Sequence, residues 1–212
     1  MAARGVHHPV AARLFVLLAG ADLERRGADH RREMLAGLAG RVEVGAGHGL
    51  NFPFYPASVA EVVAMEPEPY LRRKAEAGAR VAPVPVTVLD GVADPLDFED
   101  GAFDAAVTSL VLCTVPDQER ALAELFSVVR PGGMLHYYEH VRARSARLAR
   151  VQDLLDNTVW PRVAGGCHTG RDTAGAIRRA GFKPERHREL FESAFVLDRP
   201  LATIVIGAAR RP

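Results

Sequence analysis

Three glycines after a short apolar run near residue 45 could form a loop that lets a ligand approach the backbone. The run Arg41-Val42-Glu43-Val44 leads into Gly45-Ala46-Gly47-His48-Gly49, so an acidic residue stands two positions before a G-x-G-x-G sequence. Glycines allow close approach, and the following helix would offer free N–H groups. A dinucleotide loop requires a small residue where Leu50 stands, for close helix packing. The pattern disfavours NAD, and by itself it could equally be an ordinary loop.

An acidic residue also ends the next predicted strand. Glu66 lies seventeen residues beyond Gly49 and precedes Pro67. At this place a carboxylate can accept hydrogen bonds from both ribose hydroxyls of an adenosine. Alone, Glu66 would be read as a solvated turn acid, but together with the glycine loop it predicts a nucleoside site.

Several functions are disfavoured by the cysteines, the histidines and the overall charge of the chain. Cys113 and Cys167 are too few for a disulfide framework and lack the C-x-x-C spacing of a zinc site, so we expect small buried side chains in a reducing cytoplasm. His48, His140 and His168 have no i, i+4 pairing, and no metal is expected. A formal charge of +1 supplies no field for binding nucleic acid. The apolar run Val10–Ala19 is about half of a membrane span, so no integral membrane segment is predicted.

The elements that must position these residues alternate between strands and helices. Two N-terminal helices, from Val10 and from Asp22, precede the alternating part of the chain. After them the pattern predicts a parallel sheet covered by helices on both faces. Pro83 and Pro85 indicate that the third strand lies at an edge, because proline donates no ladder hydrogen bond. The predicted strands are 41–45, 61–65, 84–89, 103–109, 134–140, 186–191 and 201–208, and the helices are 68–79, 117–129, 145–160 and 172–180.

A longer stretch after the third strand connects these features to a known family. Residues Gly91–Asp104 align without a gap to G-D-A-x-x-L-P-F-x-D-G-x-F-D. With the glycine loop and Glu66, the chain resembles the class I methyltransferases, which bind S-adenosylmethionine. Val92 departs from the pattern, since an Asp that accepts from the adenine amino group usually stands there. Backbone N–H groups and apolar packing would then hold the adenine, and nearby Asp94 could substitute for the missing carboxylate.

Further motifs resemble one branch of that superfamily, the bacterial relatives of animal microsomal alkyl thiol methyltransferases. The shared sequences are N-F-x-x-Y-P at Asn51, L-V-L-C-x-V at Leu110, R-P-G-G at Arg130, E-H-V at Glu139 and a G-C motif at Gly166. The resemblance covers about residues 41–190. It does not extend to the hydrophobic N-terminal anchor of the animal proteins, so membrane attachment is not inferred.

The resemblance implies a fold, a division of the chain and a set of cofactor contacts. The expected fold is a Rossmann-like α/β domain over residues 41–212, with a seven-stranded, mostly parallel sheet whose last strand is antiparallel. Residues 1–40 would form a helical lid over the cofactor. The expected S-adenosylmethionine contacts are Glu43, Gly45, Ala46, Gly47, Gly49, Asn51, Glu66, Pro67, Gly91, Val92, Ala93 and Leu110.

Two histidines are candidates for acting on the methyl acceptor. His140 ends the fifth predicted strand, at the edge where open α/β sheets bind ligands. Period-two alternation puts His136, Tyr138 and His140 on one face, so that Glu139 should point away from His140. His168 follows a glycine-rich turn and could reach the same pocket. Either histidine could instead be structural or simply exposed.

The resemblance favours a small-molecule thiol as the acceptor. A thiol of pKa about 8.5 is a few per cent thiolate at neutral pH, so the protein needs mainly positioning and at most one modest base. Methylation of oxygen, nitrogen or carbon on a lipid, quinone or secondary metabolite remains an alternative. So does a protein that binds S-adenosylmethionine without catalysis. The oligomeric state is not predicted.

Overall fold

The computed structural model describes residues 9, 12, 13, 16, 21–191 and 202–212, apart from the side chains of 21–26, 43 and 44. Much of the first predicted helix therefore lies outside the described residues. The strands are β1 Gly40–Gly45, β2 Val59–Met65, β3 Val86–Leu89, β4 Phe103–Ser109, β5 Val129–His140, β6 Lys183–Phe191 and β7 Thr203–Arg210. The helices are α1 Ala21–Leu35, α2 Pro69–Ala79, α3 Gln118–Val128, α4 Ala146–Asp156, α5 Trp160–Val163 and α6 Thr173–Arg179, with a 3-10 turn at Phe52–Phe54.

The strands form one seven-stranded sheet in the order β3-β2-β1-β4-β5-β7-β6. β1 to β5 pair in parallel, whereas β7 runs antiparallel to both β5 and β6. This confirms the predicted fold, including the antiparallel last strand and the edge position of β3. The strand order reverses between β1 and β4, so a crevice opens at their carboxyl ends, where such sheets bind ligands.

The core lies on both faces of the sheet, as expected for strands with continuous apolar runs. One cluster joins Leu122 and Leu125 of α3 to Phe103, Leu135 and Ile177. Helix α3 begins where predicted, because the Asp117 side chain accepts a hydrogen bond from the Arg120 N–H at 3.1 Å. Its buried stripe fixes one wall beneath the crevice.

Helix α1 covers the other face, where Met34 and Leu35 are fully buried in a cluster with Val42. His136 on β5 contacts the Met34 carbonyl oxygen at 2.5 Å through Nδ1. The second predicted N-terminal helix therefore shares the core with the sheet. Within 21–191 and 202–212, no helix has the length and apolar character needed to cross a membrane.

Several predicted boundaries are wrong. β5 begins at Val129, five residues early, and Arg130-Pro131-Gly132-Gly133 runs within it, because the Gly132 N–H donates to the Arg211 carbonyl and the Gly133 carbonyl accepts from the Arg211 N–H. β3 begins at Val86, so both prolines precede the strand. The long helix predicted over 145–160 is two helices, α4 and the short α5.

Candidate active site

The glycine loop leaves β1 at the crevice, and its three glycines have different surroundings. A Cβ on Gly45 would stand 2.6 Å from Val111 Cγ2, and one on Gly49 would stand 3.0 Å from the Phe52 ring. A Cβ on Gly47 would meet no described atom within 4 Å, although its φ of +54° favours glycine. Gly45 and Gly49 are therefore needed for packing, whereas the backbone at Gly47 faces open space that a ligand can enter.

Glu66 ends β2 beside that open space. Its side chain is buried, and its Oε1 accepts a hydrogen bond from the Glu68 N–H at 2.9 Å. Burial raises the pKa of Glu66 to about 7, and the N–H groups of Glu68 and Gly47 oppose the rise. The interaction with Gly47 ties the carboxyl group to the glycine loop. A ligand that donates hydrogen bonds here would favour the ionised form.

Two further candidates border the loop. Asn51 is buried, and its Oδ1 has no hydrogen-bond partner among the described residues. A buried acceptor in this state is costly unless a ligand or water donates to it. Leu110 follows β4 with a φ of 60°, rare for a residue with a side chain, and its N–H donates to the Tyr138 carbonyl at 2.8 Å.

The remaining predicted contacts occupy the same edge of the sheet. Gly91, Val92 and Ala93 follow β3 and are partly exposed, and Pro67 is partly exposed after β2. Ala46 is buried and its N–H donates to the Met65 carbonyl. Glu43 lies on β1, but its side chain is outside the described residues. Asp94 forms an ion pair with Arg120 at 2.9 Å, so its carboxylate is already engaged.

His140 contacts both cysteines at the carboxyl end of β5. Its Nδ1 lies 3.8 Å from Cys113 Sγ and 3.5 Å from Cys167 Sγ, and the two sulfur atoms are 3.7 Å apart. Both thiols are free and buried. The three residues come from the loop after β4, the end of β5 and the turn after α5. His168 follows Cys167 in the chain, and its backbone N–H donates to the Cys113 carbonyl at 2.7 Å.

The side chains of Glu139 and His140 both contact the loop after β4. The Glu139 carboxylate accepts from the N–H groups of Val111, Leu112 and Cys113 at 3.0–3.1 Å. Alternation holds within the strand, where His136 contacts α1 at Met34. At the strand's end the loop after β4 contacts both side chains, and it stays a prediction that Glu139 and His140 point to opposite faces.

The ionisation of this cluster is set by burial and by its own contacts. The hydrogen bond with Cys167, and then burial, raise the pKa of the Cys113 thiol well above its usual value. The same bond lowers the pKa of Cys167. Burial disfavours a charged His140, but contacts with Cys113 and Glu139 raise its pKa overall. The pKa of His168 is lowered by burial and then by Arg171.

Sequence reasoning missed what Cys113, Cys167 and Glu139 do. The cysteines are buried as expected, but they lie against each other and against His140. Glu139 holds the loop that carries Cys113. The only signal in the sequence was that each of these residues belongs to one of the branch motifs. The motifs themselves do not show that these residues meet in space.

The open backbone at Gly47, the buried carboxyl of Glu66 and the orphaned Asn51 oxygen together fit S-adenosylmethionine. Glu66 would accept from the ribose hydroxyls, and Asn51 would accept from a ligand N–H group. The glycine loop would bring its N–H groups close to the ligand.

The chain is similar in sequence to known methyltransferases. Residues 42–137 match the family described as a methyltransferase domain. The chain is 33% identical to human thiol S-methyltransferase TMT1A over 69% of its own length and 62% of that protein. It is 34% identical to mouse thiol S-methyltransferase TMT1B over 70% of its length and 63% of that protein. It therefore spans less than two thirds of these relatives.

Solved structures share the fold. A putative methyltransferase from Bacillus halodurans superposes with a TM-score of 0.67 at 16% identity, covering 88% of this chain and 100% of that chain. Geranyl diphosphate C-methyltransferase from Streptomyces coelicolor, solved with S-adenosyl-L-homocysteine, gives a TM-score of 0.67 at 15% identity, over 90% of this chain and 78% of that one.

Proposed function

The chain belongs to the class I S-adenosylmethionine-dependent methyltransferases, and from that premise we propose that it transfers the methyl group to the sulfur of a small-molecule thiol. The observation that carries the choice of sulfur is the similarity to thiol S-methyltransferases over more than two thirds of the chain.

In the proposed reaction the chain's residues mainly bind and orient. Glu66 accepts from the ribose hydroxyls, Gly47 lets the cofactor approach the loop, and Asn51 binds a cofactor N–H. The cofactor supplies an electrophilic methyl group on a sulfonium. His140 and His168 are the proposed acceptor contacts. A thiolate is a strong nucleophile without a strong base, so correct placement accounts for most of the rate enhancement.

A second candidate is methylation of nitrogen on a lipid. It is favoured by 35% identity to a phosphatidylethanolamine N-methyltransferase of Cereibacter sphaeroides over 55% of this chain. An amine is protonated at neutral pH and must lose a proton before attack, so this reaction needs a base that thiolate methylation does not.

The test is release of S-adenosylhomocysteine with a panel of alkyl thiols, phenols, amines, quinols and phosphatidylethanolamine vesicles. We expect turnover with alkyl thiols and a product that mass spectrometry identifies as the methyl thioether. Turnover with only another acceptor class would refute the thiol proposal. Tight cofactor binding without turnover on any acceptor would support a non-catalytic binding protein.

A further inference from the structure

We propose that Cys113, His140 and Cys167 form a binding site for one Zn²⁺ ion, whose open coordination position takes the sulfur of the acceptor. The second half of this inference rests on the proposed thiol methylation, whereas the metal site stands without it. All three ligand atoms lie within 4.8 Å of one another. Two sulfurs and one imidazole nitrogen are a donor set that zinc prefers, and none of the three is a carboxylate.

The spacing of the three atoms fits a tetrahedral ion. With Zn–S of about 2.3 Å and Zn–N of about 2.0–2.1 Å, tetrahedral geometry requires S···S of about 3.8 Å and S···N of about 3.6 Å. The observed separations are 3.7 Å between the sulfurs and 3.5 and 3.8 Å from sulfur to nitrogen. One ion could therefore contact all three atoms with little movement. A disulfide would instead require the sulfurs to approach to about 2.0 Å.

Two carboxylates, the buried Glu139 and the partly exposed Asp156, hold the loops that carry the cysteines. Glu139 accepts from three N–H groups of the Cys113 loop, so its oxygens are occupied. Asp156 accepts from the N–H groups of Thr169 and Gly170 at 2.8 Å, just beyond Cys167. Such outer contacts fix ligand positions before the metal binds. Arg171 donates to the Leu112 and Val115 carbonyls at 2.7 Å and places a positive charge near the two thiols.

The cluster lies beside the cofactor crevice. Val111, two residues before Cys113, packs over Gly45 of the glycine loop. β4, which precedes Cys113, pairs with β1, and β5, which ends at His140, is the next strand beyond β4. His140 is partly exposed, whereas both cysteines are buried. Three ligands from the described residues leave the fourth tetrahedral position for an exogenous ligand, as in catalytic zinc sites.

A thiol acceptor fits that position chemically. Its S–H proton leaves to solvent on coordination, because a metal-bound thiol is deprotonated. The sulfur then forms a bond to the methyl carbon, and the bond from that carbon to the sulfonium breaks with its electron pair remaining on S-adenosylhomocysteine. The product is a neutral thioether, a weaker zinc ligand than a thiolate, and it can leave. In this role His140 is a ligand and not a base.

The first experiment measures the metal without using activity. Protein purified without chelator is analysed for zinc and is then reloaded with Co²⁺, whose thiolate charge-transfer band reports sulfur ligation. We expect about one zinc per chain and a clear cobalt–thiolate band. Cys113→Ala and Cys167→Ala should lower Zn²⁺ affinity by about 100-fold or more, whereas His187→Gln on β6 should not. Serine variants and S-adenosylhomocysteine binding verify that the fold is retained.

The results of these measurements decide the proposal. The metal site is overturned if the purified protein contains no zinc or if the cobalt-loaded protein shows no cobalt–thiolate band. It is also overturned if the mass of the native chain is two hydrogens below that of the reduced chain, because this would show a Cys113–Cys167 disulfide. A cobalt spectrum that shifts on adding 2-mercaptoethanol supports the open position. If the spectrum does not shift and zinc-free protein methylates thiols at the full rate, the acceptor role is wrong. Bound metal without turnover of any thiol refutes the proposed function and leaves the site standing.

Discussion

At the residue scale, the pKa of about 7 makes Glu66 the group whose ionisation should control cofactor binding. Ribose hydroxyls donate to the carboxylate form, so below pH 7 the free protein must lose a proton when it binds. We expect the dissociation constant of S-adenosylhomocysteine to rise several-fold from about pH 8 to about pH 6, approaching tenfold per unit at most. Calorimetry across this range measures it.

Glu66→Gln is the matched control, because it keeps the size and removes the titration. At about pH 8, where Glu66 is ionised, the variant should bind several-fold or more weakly than the wild type; its affinity should not change down to about pH 6, so the difference narrows as the wild type weakens. Any titration of the ligand itself would appear in both proteins. A pH dependence equal in variant and wild type would show that Glu66 does not bind the ribose.

Gly47 gives a second prediction at this scale. A valine there would occupy the open space that the cofactor needs and would adopt an unfavourable φ. We expect Gly47→Val to abolish measurable cofactor binding and activity while circular dichroism stays native. Gly37→Val is the control, since Gly37 has a φ of +81° and, among the described residues, no atom near its Cβ position. It should cost similar strain and keep full binding, so equal loss in both variants would contradict the assignment.

At the scale of elements, Gln152 joins α4 to the two segments that flank the cysteine cluster. It is fully buried, accepts from the Ala143 N–H at 2.8 Å, and donates to the carbonyls of Val141 and Thr169 at 3.1 and 3.0 Å. Gln152→Ala leaves these groups unpaired and should cost about 2–4 kcal/mol, or about 4–16 °C in Tm. Differential scanning calorimetry measures the loss.

The control is Arg150→Ala on the exposed side of the same helix. It should change the free energy of unfolding by no more than about 0.5 kcal/mol. If both variants behave alike, the buried amide is not what joins α4 to the sheet.

At the scale of the whole molecule, cofactor binding should stabilise the folded chain by mass action. S-adenosylhomocysteine at about 100 times its dissociation constant adds about 2.7 kcal/mol, which corresponds to about 5–10 °C in Tm. NAD at the same concentration should give no shift, because Leu50 replaces the small residue of a dinucleotide loop. An equal shift with NAD would contradict the cofactor specificity, and Gly47→Val should abolish the shift with S-adenosylhomocysteine.

The sequence by itself determined the alternating sheet, the glycine loop and the cofactor. These are encoded in contiguous residues: apolar runs with strand or helix periodicity, glycines at turn positions, and Glu66 at a strand end. Asp117 begins α3 as predicted because a cap acts on neighbouring backbone groups. Local signals of this kind do not require knowledge of the rest of the fold.

Only the tertiary structure decided how the acceptor end of the site is built. Cys113 and Cys167 are fifty-four positions apart, and no spacing rule connects them to each other or to His140. They meet because parallel strands end at one edge of the sheet and the connecting loops fold over it. The same long-range packing places Gly45 against Val111 and Gly49 against Phe52, while it leaves open space at Gly47. It also raises the pKa of Glu66 by burying its side chain. The burial of Glu66 and the contact between the two cysteines and His140 depend on residues that are far apart in the chain. Local sequence patterns do not specify such contacts.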